Sequence, residues 1–517
     1  MKKNTLFKGA ALLIICNLIG KVIGAVYRIP LAHILGGEGM GQYQLVFPLY
    51  CLILTISTSG IPIAISKLVA EYNTQHRYND TKKLLGVSVL VLSVISIMGT
   101  AVVIFGAKFI SGIQGNPQTY ICYYGIAPAV VFVGVLSALR GYFQGNLIMF
   151  PTAVSNLIEQ TLKVVFGLVL ARKFLPLGTE YAVFGALLGI STSEAIAFLF
   201  LIVTYFFYSK KRAKEISSSS MPFKYLSRQL FNLAVPITLG GLISPITTIV
   251  DSLIVVNLLH FVGFSSSAST TMLGLQSGIV EPLVNLPVII AVSLSTVLLP
   301  SISSLKAENN DEKISQMIEK AFQITLSVAI VCSICYVIFD HQILSFLFGL
   351  SLRPDELFLC QKLLMLASIN IIFLSLVQVS AGMLQGLGET KYPVKTLLIG
   401  CLIKVGLNLT LLAIPAVNIA GAVISGGVCY LIVFLLNYKK LKTLANFSIK
   451  YSYFYISIQA CFVCFFAYFT NTLCQMLFSD LIAFFVAGAL AIIVFSVTYY
   501  SFFMKQVDSG FVNKESN

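Results

Sequence analysis

Charge is scarce in this chain. Asp, Glu, Lys and Arg make up 10% of its 517 residues, against 57% hydrophobic residues and a mean hydropathy of +0.91. That composition excludes an ordinary soluble protein, which needs far more polar surface to meet water. Histidine is rarer still: His33, His76, His260 and His341 are the four copies, and they form no cluster along the chain. The eleven cysteines fall mostly in apolar stretches. Two C-x-x-C pairs, Cys332/Cys335 and Cys461/Cys464, lack the polar setting and partner ligands of a zinc or redox site. They read as small apolar filler, which excludes a disulfide scaffold and a metal centre. The sequence also lacks a nucleophile elbow, a P-loop and a metal-binding H-E-x-x-H. Neither an enzyme nor a cofactor is expected.

What the chain has in abundance is long apolar runs. Stretches of about 20 residues, enough for a hydrocarbon core of about 30 Å, recur along its whole length. They predict an all-α integral membrane protein with about fourteen spans. The first lies near 8–30, the second near 42–69, the seventh near 229–256, the eighth near 271–299 and the last near 479–503. The first run is long and has no small-residue cleavage site, so it reads as a span and not as a cleavable signal. With the N-terminus in the cytoplasm, the outer loops would receive only Lys108, Arg172, Lys173 and Arg353 among the loop cations. This positive-inside bias places both termini in the cytoplasm and the chain in the cytoplasmic membrane. It also accounts for the net charge of +14 without nucleic acid.

An internal repeat organises the spans. SALRGYFQGNLIMFPTAVSNLIEQTLKVVFGLVL, from Ser137, matches QVSAGMLQGLGETKYPVKTLLIGCLIKVGLNLTL, from Gln378. Gln144 and Gly145 align with Gln385 and Gly386, Pro151 with Pro393 after a one-residue gap, and Lys163 with Lys404. Leu6-Phe7 is echoed by Leu230-Phe231, and IPIAISKLVAE at 61–71 by VLLPSISSLKAE at 297–308. Both copies start on the cytoplasmic side, so they are parallel repeats about an axis along the membrane normal. The expected organisation is a six-helix lobe over 1–215, a basic linker over 216–228, a second six-helix lobe over 229–445, and two additional helices with a tail over 446–517. Two such lobes would leave a cavity able to open to either side.

Residues buried against the hydropathic grain are the site candidates. In ALLIICNLIGKVIGAVYRIPLAHILG, Asn17, Lys21, Gly24 and Arg28 are spaced by four, three and four, forming one stripe on the first span. A charge at mid-bilayer costs about 2.5–3.5 kcal/mol on the insertion scale, so such residues face a bundle interior or a wet cavity. Four acids, Glu159, Glu194, Asp251 and Glu281, also fall well inside spans. Lys163 and Lys404 lie at comparable depth, with Lys67 and Arg140 nearer the inner ends. Lys362, near an outer end, can snorkel. Glu159 and Lys163 are four apart in the favourable acid-first order, which suits an internal pair that eases insertion as well as it suits function. By depth, Arg28 and Asp251 stand at similar levels, and Glu281 about a third of the way in from outside. A cavity with cations on one lobe and acids on the other follows, and a direct Arg28–Asp251 contact is one arrangement it allows.

The opening YRIPLAHILGGEGMGQYQLVFPLYCLILTISTSGIPIAISKLVAEY, the fourteen runs and the LRGYFQG turn resemble the stage V sporulation protein B group of polysaccharide-biosynthesis proteins. That group belongs to the multidrug/oligosaccharidyl-lipid/polysaccharide exporter superfamily. The resemblance covers essentially the whole chain. It implies two pseudo-symmetric lobes moving by alternating access, relatives that flip undecaprenyl-linked glycans including the peptidoglycan precursor lipid II, and, for the sporulation branch, a role in spore cortex formation. IGKVIGAVYR is similar to the first-span motif of the peptidoglycan-precursor flippases, and Lys21 stands where they have an arginine. Glu281 stands where they carry a further cation, a departure that bears on which lipid-linked sugar is carried. The last two spans, rich in Phe and Tyr, would form a lipid-tail groove.

The residues and the resemblance converge on a flippase for a polyprenyl-pyrophosphate-linked glycan, embedded in the bilayer and working beside cell-wall synthases. Its anionic head would need a wet cavity and cations, Arg28 as a bidentate fork and Lys21 as a point charge. Two other readings remain open from the residues. One is an antiporter binding organic cations at acids such as Asp251 and Glu281 in exchange for sodium or protons. The other is a non-transporting scaffold for wall synthesis. The cationic stripe weighs against the first.

Overall fold

The computed structural model describes residues 12–501 apart from 14, 18, 21, 25, 212–220, 446, 448, 449, 478 and 479. Among these residues helices make up all the regular structure and no strand occurs. Twelve stretches among the described residues are long and apolar enough to cross a membrane, so the chain is a multi-pass, all-α membrane protein. The expected fourteen runs appear as twelve such stretches because two of them join and one is divided. The first two expected spans run together as Ile15–Thr74. At about 1.5 Å per residue, 60 residues would extend about 90 Å, so this stretch holds more than one crossing. Gly36 (φ 64°, ψ −173°) makes the break, in a region of φ that favours glycine. The seventh expected span is divided at Leu242, leaving Pro245–Phe261 as a shorter apolar helix.

Packing divides the chain into two compact units, Met1–Ile279 and Val280–Asn517. The first opens with α1, whose described residues lie within 12–26. There follow α2 (Arg28–Thr58), α3 (Ile61–Thr74), α4 (Tyr78–Ile113), α5 (Tyr120–Gly145), α6 (Met149–Phe174), α7 (Thr179–Lys211), α8 (Phe223–Gly241), α9 (Ile243–Phe261) and α10 (Ser266–Leu273). A π-helical turn, Gly274–Val280, then leads across the unit boundary. Helix α5 packs on α4 and α7, and α6 runs along α7. The α6–α7 approach is so close that a Cβ on Gly189 would stand 2.3 Å from the Gly167 nitrogen. Small residues at such crossings replace the hydrophobic drive that lipid cannot supply. Apolar side chains including Ile65, Leu84, Leu139, Phe143 and Leu201 fill the interior. On α4, Phe105 is 86% exposed, as suits a lipid-facing surface.

The second unit comprises α11 (Glu281–Ala307), α12 (Asp311–Ile338), α13 (Asp340–Phe348), α14 (Pro354–Gly386), α15 (Tyr392–Leu411), α16 (Ala420–Leu444), α17 (Lys450–Leu477) and α18 (Asp480–Tyr499). Here α14 packs on α11, α12 and α16, and α15 runs along α16, a pairing pattern like that of α5, α6 and α7. Its interior is tied by polar contacts between helices. Asn370 donates to the Val423 carbonyl at 3.1 Å, Thr396 to Asn437 at 2.8 Å, and Asn437 to Ser380 at 3.2 Å. Helices α17 and α18 pack on each other and α17 on α12. Rings of Phe462, Phe465, Phe466 and Phe469 stack along α17.

Candidate functional site

The polar side of α1 is turned toward α6. Asn17 Oδ1 accepts from Asn156 Nδ2 at 2.7 Å, and Cβ atoms built on Gly20 and Gly24 would lie 3.2 and 3.4 Å from the Gln160 side chain. Ile15, Ile19, Val22 and Val26 occupy other positions and are exposed. Lys21 lies outside the described residues. On α6, Asn156, Glu159, Gln160 and Lys163 fall at i, i+3, i+4 and i+7, a single face.

The acids and cations of this unit are distributed differently from the expected pairing. Glu159 does not take Lys163 as its partner. Its Oε2 accepts from Arg140 Nη2 at 2.8 Å and its Oε1 from Gln160 Nε2 at 2.8 Å, while Arg140 Nε donates to Ser155 Oγ at 3.0 Å. The spacing within α6 is correct for a Glu159–Lys163 pair, but packing brings α5 alongside and the guanidinium fork engages the carboxylate. Lys163 is left with aromatic faces: its Nζ stands 5.9 Å from the Tyr27 ring centre and 5.8 Å from that of Phe47. Glu194 is 2% exposed and accepts a 2.9 Å hydrogen bond from Tyr50, with its second oxygen unmet among the described residues.

Arg28 donates through Nη1 to the Ser277 carbonyl at 3.3 Å, and so does not make the direct Asp251 contact. Gln44 Nε2 donates to the same carbonyl. This acceptor is available because a π-turn pairs a carbonyl with the amide five residues on, and for Ser277 that residue is Pro282, which has no N–H. The crossing that presents it is set by glycines: a Cβ on Gly41 would sit 1.9 Å from the Thr270 carbonyl oxygen, and one on Gly274 would sit 2.1 Å from the Gly37 carbonyl oxygen. Asp251 is half-buried on α9. Glu281 begins α11 in the second unit and is exposed, and Lys404 is half-buried on α15. Lys67 on α3 is exposed. The structure thus brings together Asn17, Arg28, Arg140, Glu159, Lys163 and Glu194 within the first unit. It adds Tyr27, Gln44, Tyr50, Gln160 and Ser277, which sequence reasoning missed. Polar side chains inside the apolar run GQYQLVFPLY were the available signal for Gln44 and Tyr50, whereas a backbone carbonyl leaves none.

A family model described as polysaccharide biosynthesis protein matches residues 6–306. The chain belongs to that family. A second model, MatE, matches residues 236–410, consistent with the wider multidrug/oligosaccharidyl-lipid/polysaccharide exporter superfamily. Among relatives, stage V sporulation protein B of Bacillus subtilis (strain 168) is 29% identical over 467 residues, covering 90% of this chain and 89% of that one. Lipid II flippase MurJ of the same organism is 28% identical over 472 residues, covering 86% and 84%. Among solved structures, lipid II flippase MurJ in an inward closed conformation superposes with a TM-score of 0.74 at 17% identity, covering 96% of this chain and all of that one. An inward-facing multidrug resistance MATE family transporter gives 0.66 at 13% identity, covering 82% and 95%. These likenesses establish a shared fold for the polysaccharide biosynthesis family member described here.

Proposed function

We propose that this protein is a flippase that carries a lipid-linked oligosaccharide or a lipid II-like peptidoglycan precursor, used in the spore cortex, across the cytoplasmic membrane by alternating access. It does so without covalent chemistry, with both termini in the cytoplasm. The observation that carries the proposal is Arg28: a guanidinium within a membrane-embedded unit whose hydrogen-bond partner is a backbone carbonyl and not a carboxylate. A charge so placed is expensive in lipid and is explained by an anion that it meets during transport. The sugar pyrophosphate of a polyprenyl lipid is such an anion, and its apolar tail can stay in the bilayer while the head crosses. Similarity to stage V sporulation protein B and to lipid II flippase MurJ supports the same reading.

The two lobes over 1–215 and 229–445 are proposed as the moving bodies, with Lys21, Asp251 and Glu281 as further head-group or coupling residues and cell-wall synthases as suppliers or users of the lipid. The test is transport by purified protein in proteoliposomes loaded with a fluorescent lipid-linked disaccharide pyrophosphate. Arg28→Ala should reduce translocation by at least about tenfold, the worth of one hydrogen bond to a charged group, with insertion unchanged. Undiminished translocation by this variant would overturn the role of Arg28. No translocation by the unaltered protein, together with saturable uptake of organic cations, would favour the antiporter.

A further inference from the structure

Within the first unit, the described donors and acceptors around Arg28 do not balance. Lys163 carries an ammonium with three N–H donors, yet among the described residues it meets two aromatic rings and no hydrogen-bond acceptor. The hydroxyl of Tyr27, on a residue 2% exposed, also has no partner. Arg28, next to it in sequence, uses one guanidinium nitrogen on the Ser277 carbonyl. Both oxygens of Glu159 are committed elsewhere, to Arg140 and Gln160, and Glu194 gives one oxygen to Tyr50 while its other oxygen meets no donor, Lys163 included, among the described residues. The arrangement therefore offers the donors of an ammonium and a phenol, and the remaining donors of a guanidinium, without a hydrogen-bond acceptor among the described residues. Two cations that share an environment repel each other until something negative stands with them.

We propose that Lys163, with Arg28 and the Tyr27 hydroxyl, forms the diphosphate-binding site of this transporter. The proposal rests on the flippase reading and assigns how its site takes the phosphates. A diphosphate suits the donor set because it is acceptor-only and multiply charged, and can meet a guanidinium fork and a point-like ammonium on neighbouring phosphoryl groups. The rings of Tyr27 and Phe47 hold the ammonium by its charge while leaving its N–H bonds for the ligand. The Arg140–Glu159 pair has a positioning role: by occupying Glu159 it prevents an internal salt bridge that would neutralise Lys163.

The test uses full-length protein in lipid nanodiscs and three probes: undecaprenyl diphosphate, undecaprenol and inorganic diphosphate. Lys163→Met should weaken undecaprenyl diphosphate binding by about tenfold or more, the worth of one hydrogen bond to a charged group. Binding of undecaprenol, which has only the tail, should not change. Lys163→Arg should retain most of the affinity, and Tyr27→Phe should lose less than Lys163→Met. Removing a lysine from a span eases insertion, so loss of binding by Lys163→Met is not a folding defect. Competition by inorganic diphosphate that disappears in Lys163→Met would show that the head alone suffices; lipid binding that depends on Lys163 without such competition would show that the tail must dock as well. Either outcome supports the site. Equal undecaprenyl diphosphate affinity in unaltered protein and Lys163→Met would overturn it. If that variant also transports normally while Arg28→Ala does not, the flippase reading stands and only this assignment falls. If the unaltered protein neither binds nor moves the diphosphate lipid, both fall.

Discussion

At the scale of single residues, the first unit ties Glu159 to Arg140 and one oxygen of Glu194 to Tyr50, and leaves donors of Lys163 and Arg28 available. The Arg140–Glu159 pair is the hinge of that arrangement, with side chains 15% and 16% exposed. Glu159→Leu would leave Arg140 charged, buried and short of its carboxylate, a defect worth about 3–5 kcal/mol when burial is complete. The expected outcome is a clear fall in the midpoint of thermal unfolding in detergent. Arg140→Met combined with Glu159→Leu should recover more than half of it, because an apolar pair of similar volume replaces a buried ion pair at little cost. A double variant no more stable than Glu159→Leu alone would show that the pair has no coupling. This pair also shows how far the site was legible in sequence. The positions of Arg140, Glu159 and Lys163 inside apolar runs were plain, and so was their unusual cost. Which acid meets which cation was not, because the i,i+4 spacing along α6 competes with a contact made only when α5 packs beside it.

At the scale of elements, spans follow from hydropathy but not every break does. The π-turn at Gly274–Val280 is a backbone event inside a predicted span, invisible to a sliding window, whereas Gly36 falls between the first two predicted spans. Yet the π-turn positions the site, since it supplies the carbonyl that receives Arg28 and Gln44. Gln44→Leu removes one of the two donors. It should speed amide hydrogen exchange across 274–281 several-fold while leaving α14 unchanged, as read by mass spectrometry. Unchanged exchange would mean the carbonyl contacts do not stabilise the turn. The α2–α10 crossing gives a sharper contrast. Gly41→Ala would drive a Cβ to 1.9 Å from the Thr270 carbonyl oxygen, and overpacking of this kind costs about 1–3 kcal/mol or more. Gly86 lies in α4 with open space around it, where alanine should stabilise by up to about 1 kcal/mol. Opposite shifts in the unfolding midpoints of the two variants are expected.

At the scale of the whole molecule, the repeat and the packing divide the chain at different places. Aligned segments such as those around Gln144 and Gln385 report duplication, and they put the division in the basic linker. Contacts put it at 279/280, because α8, α9 and α10 pack on α2, α3 and α4 or on one another. No pattern of residues announces that second boundary, since it depends on which surfaces meet after folding. The two divisions predict different tolerance to cutting. A break at 215/216 falls between α7 and α8, and the start of the second fragment remains held to the first by specific contacts. The buried Asp80, paired with Arg77, accepts from the Met221 amide at 2.7 Å, and the Tyr72 hydroxyl meets Gln229. A break at 279/280 instead cuts the stretch Ser266–Ala307, a candidate span, and leaves charged chain ends and unpaired backbone groups within the hydrocarbon. Co-expressed 1–215 and 216–517 should therefore co-purify and translocate lipid-linked sugar, whereas 1–279 and 280–517 should fail to do either. Adding Asp80→Asn to the working pair should weaken co-purification, because it removes the carboxylate charge from a buried acceptor of an amide and a guanidinium. Equal recovery of both split pairs would mean that the membrane alone, and not the continuity of these helices, holds the halves together.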